Sequence, residues 1–110
     1  ANIAADQSAF VERRLRSDID AAYQQAVRSY ATYQQAREAG EAIRTNAELI
    51  AKAYRLGEGS LADSLSARRI AQEATLAEKL ALLAANESRY RLELDAHQLW
   101  SREEANHEPQ

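Results

Sequence analysis

From Asp6 to Leu56 the chain runs without a proline and with a single glycine, Gly40. That uninterrupted stretch constrains the fold more than any other feature, because turns need residues that leave the helical or extended basins cheaply, and Gly and Pro are the main ones. The next punctuation is Gly57-Glu58-Gly59-Ser60, after which no glycine follows and the one proline waits until Pro109. Two long helices joined by one short turn are therefore predicted. The composition agrees: 24 alanines, with Glu, Leu, Arg and Gln making up much of the rest, are strong helix formers.

Apolar residues recur in steps of three and four. On the first helix they are Phe10 or Val11, Leu15, Ile19, Ala22 or Tyr23, Ala26 or Val27, Tyr30 and Tyr33, then Ile43, Ala47, Ile50 and Ala53 or Tyr54. On the second, the cleanest stripe is Leu76, Leu80, Leu83, Tyr90, Leu94 and His97, with Glu87 at one expected step. Such spacing sustained over many turns predicts coiled-coil-like helices. A first helix over about 6–56 would be roughly 75 Å long at 1.5 Å per residue. Gly40 inside it reads as a site of close packing or as a bend, at a cost of about 1 kcal/mol relative to Ala.

The first helix should stop near Arg55 or Leu56. Lys52 and Arg55 suit the negative end of a helix dipole, and Gly57 suits the left-handed residue that closes a helix. Ser60 reads as the N-cap of the second helix, with Asp63 three residues on. A turn over 57–60 is too short for anything but antiparallel neighbours. The second helix is expected over about 61–102 and a polar, frayed tail over 103–110. The fold class is all-α, a long antiparallel two-helix coiled-coil hairpin, in a single domain over 1–110.

Chemistry is hard to place on this chain. His97 and His107 lie ten apart, without the i, i+4 spacing of helical metal ligands. Ser60, Ser64 and Ser66 have no histidine near in sequence to act as a base. Gly57-Glu58-Gly59 follows no strand and precedes no GK[ST], so it is not a phosphate loop. No catalytic residue, metal ligand or cofactor is assigned, and the chain is read as a non-enzyme. Arg13, Arg14 and Arg16 cluster, but Glu12, Asp18 and Asp20 surround them, and the net charge is −3 with a pI of about 5.4. Nucleic acid wants a basic face, so it is not the expected partner. The longest fully apolar run, Leu80 to Ala85, is six residues against the roughly 20 that span a bilayer. Without an initiating methionine, the chain is expected to be a soluble piece of a longer protein. The absence of cysteine removes disulfides and leaves the redox compartment open.

The segment from Ala53 to Ala67, AYRLGEGSLADSLSA, resembles the periplasmic tip of the TolC-like outer-membrane efflux protein family. There an aromatic residue, an aliphatic–glycine pair, about five further residues, an acid or polar residue and a leucine mark the turn between two long helices. Asp20 to Ala26, DAAYQQA, resembles the helix that enters this hairpin. The likeness extends over most of residues 10–100, but only the tip is specific.

The resemblance implies a periplasmic hairpin in a trimeric parent protein of the Gram-negative outer membrane. Such channels export drugs or metal ions from an inner-membrane pump through a periplasmic adaptor. It also implies that Leu56, Gly57, Gly59, Ser60, Leu61 and Leu65 form the adaptor-docking tip. Asp63 matches the place of a pore-constricting aspartate. Ser66 stands where some members have a second acid, and Gly59 where some have an arginine, which argues against a strong gate. Which of the family's two repeats this would be is left open.

Two alternatives remain. One is the hairpin of a periplasmic adaptor, in which an Arg is followed by Leu four residues later; no Arg here is. The other is a generic coiled-coil interaction module. Small alanines bury little area each, so the hairpin is also expected to self-associate.

Overall fold

The computed structural model describes residues 3–107, and they form two helices: α1, Ile3–Arg55, of 53 residues, and α2, Leu61–His107, of 47. The chain is an all-α helical hairpin. The second helix outruns its expected end at about residue 102. Ser101-Arg102-Glu103-Glu104-Ala105-Asn106-His107 contains no Gly or Pro to stop it, so the predicted tail over 103–107 is helical. Contacts to α1 also hold this stretch, through Glu103 and Asn106. The rest of the predicted tail, including Pro109, lies outside the described residues. At the other end α1 begins at Ile3, three residues ahead of the expectation.

The chain divides into two compact units. The turn unit is Ser29–Ala84. The terminal unit is Ala1–Arg28 with Ala85–Gln110, of which residues 3–28 and 85–107 are described. In the terminal unit Arg16 donates to Glu103 at 2.6 Å and Asn106 donates to Glu12 at 2.9 Å. Numbers rise on α1 as they fall on α2, so the segments are antiparallel. In the turn unit Arg44 donates to Thr75 at 3.1 Å and to Glu78 at 3.0 Å, again across the pair.

Which residues face inward follows a strict heptad, though not the one the leucines suggest. On α2 the inward heptad in the turn unit is Ser64, Ala67, Ala71, Ala74, Glu78 and Ala81, with Thr75 half-buried beside it. In the terminal unit it is Ala85, Ser88, Leu92, Asp95, Leu99 and Arg102. Each step is three or four residues, the coiled-coil period. Among the described residues only Ala22, Ser29, Ala67, Ala85 and Gly40 are buried, and all five are small. The buried positions are thus small, while the large seam residues, such as Leu15, Ile19, Ile43, Ile50, Leu92 and Leu99, are only half-buried.

The leucine stripe is elsewhere. Leu76, Leu80 and Leu83 are 59%, 57% and 64% exposed, and Tyr90, Leu94 and His97 are also exposed. Each stripe residue follows a seam residue by two positions, which is about 200° around a helix at 100° per residue. The stripe therefore occupies the face of α2 opposite the seam. Hydrophobicity alone pointed to the wrong side. On α1 the expected Leu15, Ile19, Ala22, Ala26, Tyr33, Ile43, Ala47, Ile50 and Ala53 do turn inward, whereas Phe10 and Tyr30, each 57% exposed, do not.

Candidate functional site: the helical turn

The end of α1 is closed by backbone geometry. Gly57 adopts φ +79°, the left-handed region that L side chains avoid. This lets the Gly57 amide donate to the Tyr54 carbonyl at 3.0 Å and the Glu58 amide donate to the Ala53 carbonyl at 2.8 Å. Those two bonds are the Schellman pattern, which satisfies carbonyls that a helix end leaves without partners. The next helix starts as Ser60 predicts. Its Oγ accepts from the Asp63 amide at 3.0 Å, and its carbonyl accepts the first helical bond, from the Ser64 amide, at 3.2 Å.

Gly59 has a different status from Gly57. Its φ is not positive, and a Cβ there would meet the Tyr54 nitrogen at 3.4 Å and the Ala53 Cβ at 3.5 Å, ordinary contacts. Neither strain nor crowding requires glycine at this position.

All seven residues singled out at the tip are exposed: Leu56, Gly57, Gly59, Ser60, Leu61, Asp63 and Leu65. The three leucines are 64%, 51% and 56% exposed, in that order, and Tyr54 is 41% exposed. A single exposed leucine is unremarked on most protein surfaces, but three within ten residues of one turn form an apolar surface.

Behind the tip the helix pair leaves a groove on each side. One, of ≈ 590 Å³, has an apolar wall of Ile43, Ile50 and Ile70, with Asp63, Ser66 and Asn46 as its polar members. The other, of ≈ 520 Å³, has Arg44, Glu48 and Arg68 around an alanine floor. Asp63 thus belongs to the apolar groove, with Ser66 at the position one turn further along α2. Asn46 and Ile70 were not singled out in sequence. Ile70 lies two turns beyond Asp63 on the same face of α2, whereas Asn46 comes beside it only through the pairing of the two helices, a relation that no local motif encodes.

Beside Gly40 lies a side-chain cluster rather than a neighbouring backbone. A Cβ on Gly40 would meet the Arg44 guanidinium Nη1 at 2.9 Å and Glu78 Oε2 at 3.0 Å. The glycine leaves room for an interhelical ion pair whose side chains are 36% and 21% exposed, with Thr75 as a further acceptor.

Among the described residues no group of three or more His, Cys, Asp or Glu side chains is gathered as a metal site. Nor is any helix long and apolar enough to cross a membrane. Comparison with protein-family models, with curated proteins and with solved structures found no match to this chain.

Proposed function

We propose that this hairpin is a tunnel-wall segment of a TolC-like outer-membrane efflux channel, working with an inner-membrane pump and a periplasmic adaptor to export drugs or metal ions. On this reading the hairpin lies in the periplasm and its parent protein is anchored in the outer membrane. It carries no catalytic site and uses no cofactor. The observation that carries the proposal is the pair of heptad faces on α2. A helix in an isolated hairpin needs one packing seam, whereas a helix in a wall needs a neighbour on each side. In the turn unit the inner face of α2 is mostly alanine and packs on α1, while its outer face presents Leu76, Leu80 and Leu83 at coiled-coil spacing.

The tip supports the same reading. Leu56, Leu61 and Leu65 stand exposed on a turn whose backbone is pinned by Gly57 and Ser60, a preorganised apolar end suited to docking an adaptor. Asp63 is then the candidate for the pore constriction, its neighbour Ser66 being uncharged.

Binding of the hairpin to a periplasmic adaptor is the test. Leu65→Asp, which places a charge on the exposed tip without touching a turn hydrogen bond, is expected to abolish binding. Gly57→Val, which forces a β-branched residue into the left-handed region, is expected to do the same by distorting the turn. Binding that survives both substitutions would remove the tip as the contact. Conductance of the parent channel with Asp63→Ala addresses the constriction separately, and an unchanged ion response would remove Asp63 from gating.

A further inference from the structure

We draw no further inference here: the strongest candidate, the apolar groove behind the turn walled by Ile43, Ile50 and Ile70, belongs to the site already described through Asp63, and nothing in the structure shows what covers it.

Discussion

Gly57 and Gly59 look equivalent in the sequence and are not. Gly57 sits at φ +79°, and a Cβ added there would have nothing within 4 Å, so its cost on substitution is conformational and not steric. Gly57→Ala is expected to destabilise the hairpin by about 1 kcal/mol, the usual penalty for a left-handed alanine. Gly57→Asn should lose less, because asparagine tolerates that region. Gly59→Ala should fall within about 0.5 kcal/mol of wild type, since its φ is ordinary and the new methyl would make normal contacts. Urea unfolding of the three variants measures this ordering. Equal losses at the two glycines would contradict it.

Ser60 is the third residue whose role is local. Ser60→Ala removes the Oγ that accepts from the Asp63 amide and should cost about 1 kcal/mol, a typical N-cap value. Asp63 is an exposed residue, so Asp63→Ala is expected to leave stability nearly unchanged. That separation makes Asp63→Ala a usable probe of function.

Along α2, two faces carry opposite tolerances. The inner seam in the turn unit is built mostly of alanine, and Ala67 is buried there, so enlarging it should be penalised. Ala67→Leu is expected to cost about 1–3 kcal/mol, the range for overpacking a tight site. Leu80→Ala on the outer face should change the stability of the single hairpin by no more than about 0.5 kcal/mol, because that side chain is already 57% exposed. Thermal or urea unfolding at low concentration separates the two. A reading that takes the leucines for the core expects the reverse order.

The Arg44–Glu78 pair plays a different part in the turn unit. An alanine seam is nearly the same at every step, so a shift of one helix along the other would lose little packing. A polar position within a seam is the usual device that fixes register. Glu78 occupies such a position, and Gly40 leaves space for its partner Arg44. Gly40→Ala gains about 1 kcal/mol in helix propensity but pushes the two charged groups apart, so the net change in stability should be small. What should change is the coupling between Arg44 and Glu78. A double-mutant cycle is expected to give about 0.5–1 kcal/mol in the wild-type background and near zero with Gly40→Ala.

Taken as one molecule, the chain buries few side chains, and none of the large ones fully, among the described residues. A chain with so thin a core draws part of its stability from whatever covers its outer surface. Its thermal midpoint should therefore rise with protein concentration, by several degrees over a hundredfold range, where a monomeric two-state domain shows no such dependence. Scanning calorimetry or circular dichroism at several concentrations provides the check.

The helices, the turn and its caps were legible in the amino-acid sequence alone. These are local matters: a run of about fifty residues broken by no proline and one glycine, one left-handed glycine and one serine hydroxyl act within a few residues of themselves. The apolar seam of α1 was legible too, since Leu15, Ile19, Ile43 and Ile50 are large residues of that helix that turn inward. Which face of α2 meets α1 was not. Both faces have the same heptad period, and from residue 64 to 81 the inner one is mostly alanine while the outer one carries the leucines, so hydrophobicity does not choose correctly between them. Helix pairing settled that question. It likewise settled that Gly40 makes room for an ion pair, and that Asn46 stands beside Asp63, because the residues concerned are brought together only across the hairpin.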